Sequence, residues 1–319
     1  MHPVGGSLLF QDITYPNYHM KTILVPTDFS YVSLKALEVA LSLASKLKAR
    51  LFLCHVYREP MQVPFMLGPM YAQTASEVRE QLMLKLKQQA RQARQDEQIM
   101  LPVRYLVKCG DTIEELLQVI EEKTVDLVVM GTQQGPSFLD KLFGSTTEQL
   151  LRQASCPVLA VPEGAKKRQI TNILYAYDLE SEMLGVMSQL FQIKSLFKAA
   201  VVVLHVQTGH QPETQLSEEL KDSLFEDFAG NDFSFVEIHH KHVTAGIVKY
   251  VKKHGIDVIA FAEEQRNSWD EVRLTSTSSM LLYTLDVPVL VIPKHKTGAL
   301  ATIFKEHQQA QKAPDIIFD

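Results

Sequence analysis

Cysteine is scarce in this chain: Cys54, Cys109 and Cys156 are the whole supply in 319 residues, and no two form a CxxC pair. An odd, scattered set rules out a disulfide framework. Each lies in or beside an apolar segment, so three buried, reduced thiols are expected. No apolar run approaches the length needed to cross a bilayer, which argues against a membrane partner. The first nineteen residues have no basic start and only Leu8, Leu9 and Phe10 as an apolar patch, so they do not read as a signal peptide. A cytoplasmic protein is expected, starting at Met1 or at Met20. Lys and Arg number 32 against 37 Asp and Glu, spread along the chain with no basic stripe, and the net charge of −5 disfavours a nucleic-acid partner. An HxxxH spacing is missing as well. His239, His240 and His242 place at most two imidazoles on one side of an extended chain, so they read as a solvated strand end and not as a metal site. No Walker lysine follows a glycine loop, and neither an acidic metal pair nor a clear water-activating base is present. No catalytic residue is therefore assigned, and the chain is not read as an enzyme.

What is present is an internal repeat. KTILVPTD at Lys21 to Asp28 matches TNILYAYD at Thr171 to Asp178, and the HV ending at Val56 matches the HV ending at Val206, both at an offset of 150. Asp126, Cys156-Pro157 and Val161-Pro162 match Asp257, Val287-Pro288 and Ile292-Pro293 at an offset of 131. The first half therefore carries 19 extra residues, and these fall after Val56. The proline-bearing stretch with Met61, Met66 and Met70 reads as a long loop, followed by a longer helix from about Thr74. The charged join EGAKKRQ, Glu163 to Gln169, separates the halves. The expected division is an N-terminal extension (1–19), a first domain (20–163), a second domain (170–294) and a tail (295–319).

Within each half, β-branched or leucine-rich runs of about six residues alternate with amphipathic segments of about twelve or more, the pattern of β-α-β units around a buried parallel sheet. Strands are expected near 22–27, 51–56, 102–107, 126–130 and 157–161, then near 171–177, 200–206, 234–240, 257–261 and 287–292. Helices are expected near 31–47, 74–97, 111–123 and 145–154, with Ser30 or Ser33, Asp111 and Ser145 as caps. His55 and His205, each before a matching valine, suggest a shared structural role at the end of a second strand.

Between the strands at Asp126 and Val158, a glycine-bearing loop opens directly onto a helix. Free N–H groups at a helix start favour an anion, Gly131 and Gly144 allow close approach of the main chain, and Ser145 and Thr146 bring hydroxyls. Capping of the helix by those hydroxyls is the plainer alternative.

MKTILVPTDFS, the Gly110-Asp111 step, VDLVVMGT and SCPVLAVP together resemble successive landmarks of the universal stress protein family, and the resemblance runs from Met20 to about Lys294. It implies an α/β fold of two tandem doubly wound domains, each with a five-stranded parallel sheet of order 3-2-1-4-5. In one branch of that family it also implies ATP at the switch between strands one and four. Carried over by position, Asp28 and the backbone of Val56 fall to the adenosine end. Met130, Gly131 and Thr132 line the sugar and phosphate path, and Gly144, Ser145 and Thr146 hold phosphates. The loop departs from the branch pattern: its spacing is Gly131-x3-Gly135-x8-Gly144-Ser145, with Gln134 in the middle slot, so Gly135 with Pro136 would make the turn one residue later.

In the second half Ala262, Arg266 and Thr275 stand opposite the three glycines, and Glu263 and Glu264 add negative charge. Ser276 and Thr277 match Ser145 and Thr146 and read as caps, and Asp178 remains in register with Asp28. The implied ligand is therefore ATP or AMP, with or without Mg2+, in the first domain only. The implied role is a stress-responsive regulator read by an unknown protein partner, with a homodimer the commonest assembly for a self-complementary surface. The alternative is a module without ligand, in which Val158 to Val161 pairs with Val289 to Ile292 as an internal pseudo-dimer.

Overall fold

Apolar runs too short for a helix and too continuous for a one-sided strand need cover on both faces, and the chain supplies it with helices between strands. A computed structural model describes residues 20–58, 75–95, 101–132, 145–165, 170–177, 183–208, 233–264 and 285–294. The first half gives β1 (Thr22–Pro26), α1 (Tyr31–Leu47), β2 (Arg50–Tyr57), α2 (Ala75–Gln95), β3 (Val103–Cys109), α3 (Thr112–Glu122), β4 (Leu127–Thr132), α4 (Ser145–Gln153) and β5 (Val158–Pro162). The second gives β6 (Asn172–Tyr177), α5 (Met183–Phe197), β7 (Ala200–Gln207), β8 (Phe233–His239), α6 (Val243–His254), β9 (Val258–Glu264) and β10 (Val289–Lys294).

The strands do not form two separate sheets. They make one ten-stranded sheet in the order β3-β2-β1-β4-β5-β10-β9-β6-β7-β8. Each half is parallel inside and has the winding 3-2-1-4-5, as the resemblance implies. At the centre β5 and β10 run antiparallel, with Val158 opposite Val291, Leu159 opposite Leu290 and Ala160 opposite Val289. The sheet is therefore mixed, because a second copy turned about the seam must run the other way. Both apolar layers cross that seam: Leu159, Val161, Phe191 and Ile292 share one core, and Val158, Leu150, Ile259 and Val291 share the other. Burying one such Leu or Val side chain contributes roughly 1.5–3 kcal/mol.

Local devices repeat with the sequence. Asp126 Oδ2 accepts from the N–H groups of Lys21 and Thr22 at 2.8 and 2.9 Å, and Asp257 Oδ2 accepts from those of Thr171 and Asn172 at 2.8 and 3.0 Å. Each carboxylate ties the start of its domain's first strand to the foot of its fourth. Lys48 and Lys198 follow α1 and α5 in left-handed conformation, φ 52° and 53°. Ser30 caps α1 by accepting from Ser33 N–H, and Asp111 caps α3 through the N–H groups of Ile113 and Glu114. The hydrogen bonds that Asp111 accepts from those two amides hold its carboxyl below the ordinary range, with a smaller contribution from Arg58.

Cys54 and Cys156 are buried as expected, and desolvation pushes both thiols up to about 12. Cys109 is exposed, contrary to expectation. It ends β3, which among the described residues is an outer strand with no strand beside it on one side, so an apolar surrounding sequence does not cover it. No helix among the described residues is long and apolar enough to cross a membrane.

Candidate functional site

The winding reverses between β1 and β4, so the helices leaving these strands part to opposite faces and open a crevice at the strands' carboxyl ends. A cleft of about 310 Å³ lies there. Its lining comes from the end of β1 (Pro26, Thr27, Asp28), the end of β2 (Cys54, His55, Val56), Met130 and Gly131 of β4, and the first turns of three helices. Those turns contribute Val32 and Ser33 from α1, Thr112 from α3, and Thr146 and Thr147 from α4. The N-termini of three helices meet at one cavity and favour an anion there through their backbone dipoles, and among the described residues no lysine or arginine lines it.

Of the residues the sequence suggested, the structure brings Asp28, Val56, Met130, Gly131 and Thr146 into this one cleft. Thr132 is buried beyond it, and its hydroxyl has no hydrogen-bond partner among the described residues. Ser145 opens α4. Gly135, Gly144 and Gln134 lie outside the described residues, as do Asp178, Arg266, Thr275, Ser276, Thr277, the Met61, Met66 and Met70 stretch, and both termini. Sequence reasoning passed over Thr27, Ser33, Thr112 and Thr147, whose hydroxyl-bearing side chains also reach the lining.

Gly131 is in ordinary extended conformation, so its need for glycine is steric. A Cβ there would come within 2.4 Å of the Val32 carbonyl oxygen and 2.9 Å of Ser33 N. The missing side chain thus lets the start of α1 press onto the end of β4, a constraint on this glycine that the sequence-based reason, room for a ligand, did not include. In the second half Ala262 occupies the matching place on β9.

Asp28 sits on a turn built from its neighbours. Its Oδ1 accepts from Ser30 N–H at 2.9 Å. Desolvation alone would raise its pKa, but hydrogen bonding to Ser30 in particular outweighs it and holds the carboxyl below its ordinary value. The group is charged at neutral pH, able to accept from a hydroxyl or an amine. The imidazole of His55 donates through Nδ1 to the Thr27 carbonyl at 2.7 Å and packs on Phe29 with ring centroids 4.5 Å apart. His205 makes the same bond to the Tyr177 carbonyl at 3.2 Å. The shared histidine therefore ties the end of each second strand to the end of each first one. Near the other histidines, His240 Nδ1 lies 3.1 Å from His242 N and 2.8 Å from His242 O. Among the described residues no group of three His, Cys, Asp or Glu side chains is placed to hold a metal ion.

These features define a class: a doubly wound α/β protein with a cleft at the topological switch point of its first half, the fold being present twice. The universal stress protein family model matches residues 19–162 and again 169–293, and the chain belongs to that family as a tandem of two copies. A universal stress protein of Methanocaldococcus jannaschii is 31% identical over 154 residues, which cover 46% of this chain and 85% of that protein. One from Thermus aquaticus is 34% identical over 146 residues, covering 44% of this chain and 98% of that protein. Among solved structures, a universal stress protein from Archaeoglobus fulgidus aligns with 87% of this chain and 100% of its own, with a TM-score of 0.65 and 17% identity, a likeness of fold.

Proposed function

We propose that the first domain, residues 20–163, binds an adenine nucleotide, ATP or AMP, in the cleft between β1 and β4, and that the protein acts as a cytoplasmic stress-response regulator without catalysis of its own. The observation that carries this reading is the convergence of three helix N-termini, from α1, α3 and α4, on a cavity that also holds an ionised Asp28. Backbone dipoles favour the phosphates at one end. A carboxylate suits the hydroxyls or amine of the nucleoside at the other. In this arrangement the start of α4, with Gly144, Ser145 and Thr146, holds phosphates. Asp28 and the Val56 backbone hold the adenosine, and Met130, Gly131, Thr132 and Gly135 flank the path between. The volume fits the lower end of the range for small-molecule sites, about 300–1,000 Å³. The second domain, residues 170–294, has Tyr177 and Ala262 at the places of Thr27 and Gly131, and it serves as a partner without ligand.

The test is to denature the purified protein and examine the supernatant for adenine nucleotide, then to follow melting with millimolar ATP, with and without Mg2+. The expected result is co-purified nucleotide and a raised melting temperature, because a ligand specific to the folded state must stabilise it. Gly144→Val should remove the shift and leave the far-UV circular dichroism unchanged. A second reading, an interaction module with no ligand, is favoured by the β5–β10 seam, which already gives the chain its internal pairing. An empty protein with unmoved melting selects that reading.

A further inference from the structure

Beneath the Asp28 turn lie three buried polar side chains, Thr27, Ser33 and Gln89, exposed by 7%, 5% and 7%, of which only Gln89 is absent from the cleft lining. Thr27 and Ser33 belong to the turn, whereas Gln89 sits on α2 and does not line the cavity. The Thr27 hydroxyl donates to Gln89 Oε1 at 2.8 Å, and Gln89 Nε2 donates to Ser33 Oγ at 3.2 Å. Ser33 Oγ in turn donates to the Ser30 carbonyl at 2.9 Å, and Phe29 N–H donates to Thr27 Oγ1 at 3.0 Å. The two hydroxyl oxygens also lie 3.0 Å from each other, so the amide closes a ring with them.

The segment this ring supports is strained. Phe29 has φ of 65°, in the left-handed region, a conformation a bulky residue holds only when its surroundings enforce it. α2 touches the turn a second time, one helical turn before Gln89: Lys85 Nζ lies 5.9 Å from the centroid of the Phe29 ring. In the second domain the places of Thr27 and Ser33 hold Tyr177 and Met183, so the pair of short aliphatic hydroxyls that Gln89 joins does not recur there. In the first half, buried amide, strained turn and cleft occur together.

We propose that Gln89 is a positioning residue for the cleft: by bonding Thr27 and Ser33 from α2, it holds the Phe29 turn in the conformation that presents Asp28. This rests on the nucleotide reading above and deepens it, since it makes α2 the element through which the position of an outer helix sets affinity in the cavity. A buried amide that only filled space would affect stability alone. A positioning amide affects affinity at temperatures where the chain is fully folded.

Gln89→Leu keeps approximate size and removes both bonds. Titration with ATP at 20 °C should show at least a tenfold weaker Kd, and hydrogen exchange at the Phe29 and Ser33 amides should be at least tenfold faster with that at β4 amides unchanged. Affinity within twofold of the parent, in a folded variant, overturns the proposal. Should Gln89→Leu fail to fold, Gln89→Glu decides. Its carboxylate still accepts from Thr27 but cannot donate to Ser33, and protonation restores a donor. The ratio of its Kd to that of the parent protein should therefore shrink as pH falls from 8 to 5, and a ratio that stays flat overturns the proposal. If the parent protein binds no ATP, the nucleotide reading falls, and Gln89 is judged on exchange alone: selective loss of protection at Phe29 and Ser33 upholds it, and unchanged protection overturns it.

Discussion

At the end of β1 the first half carries Thr27 and at the end of β4 it carries Gly131, whereas the second half carries Tyr177 and Ala262 at the same two places. Several devices of the fold are shared among the described residues: the winding, the aspartate below the first strand, the left-handed lysine after its helix, and the histidine tied to the carbonyl at the end of the first strand. The cleft's equipment is shared only in part: Asp28 and Val56 have Asp178 and Val206 in register, whereas Thr27 and Gly131 do not recur. Residues that build the sheet and residues that build the cavity are thus separable in this molecule, because the former sit within strands and at their feet and the latter at their carboxyl ends.

The largest effect is expected at the seam, where the halves should behave alike. Leu159 and Leu290 face each other and are each 3% exposed. Leu159→Ala and Leu290→Ala should each cost about 3 kcal/mol in urea unfolding, and the double variant should cost less than the sum because the two share one contact. Unequal single costs would show that the halves differ even there. Next come the strand ends, where the halves should diverge. Gly131→Ala places a methyl against the Val32 carbonyl and should cost about 2 kcal/mol by overpacking, whereas the reverse change on the other side, Ala262→Gly, should cost about 0.5–1 kcal/mol through backbone entropy. Equal costs would mean that α1 yields and the glycine is dispensable.

The smallest effect concerns the thiols, all three of which lie in the first half, with Leu204 and Val287 at the places of Cys54 and Cys156. Cys109 should react with iodoacetamide in the native protein, and Cys54 and Cys156 only after unfolding. Burial raises both of the latter to about 12. Their contribution to stability is therefore complete below the unfolded thiol pKa of about 8.5 and is lost as pH rises toward 12. Alkaline denaturation between those limits should soften in Cys54→Ala, and a second-half substitution such as Leu204→Ala should leave its pH dependence unchanged.

Much of the fold could be read from the chain alone because its cues are local or repeated. Ser30 and Asp111 announce the starts of α1 and α3, and the paired His-Val endings mark β2 and β7. The antiparallel match of Val158 and Val291 was open to view as an alternative pairing, since both final strands are apolar throughout. The cleft was only partly legible. Asp28, Met130, Gly131 and Thr146 stand beside recognisable turns. The constraint on Gly131 depends on Val32, distant in sequence, and no loop pattern reveals it. Gln89 did leave a signal: it interrupts the apolar stripe Leu86, Ala90, Ala93 of α2, where a polar residue must find partners. Cys109 misled because being at the edge of a sheet is a property of strand order and not of neighbouring residues.

The junction of β5 with β10 has a consequence for inheritance. If a single-repeat chain paired with its own twin through the fifth strand, any substitution would appear in both cavities at once, and ligand could not be lost from one without the other. Covalent fusion removes that tie and replaces bulk concentration by a fixed local one, so that assembly no longer depends on expression level. One copy is then at liberty to drift while its neighbour keeps the ancestral crevice.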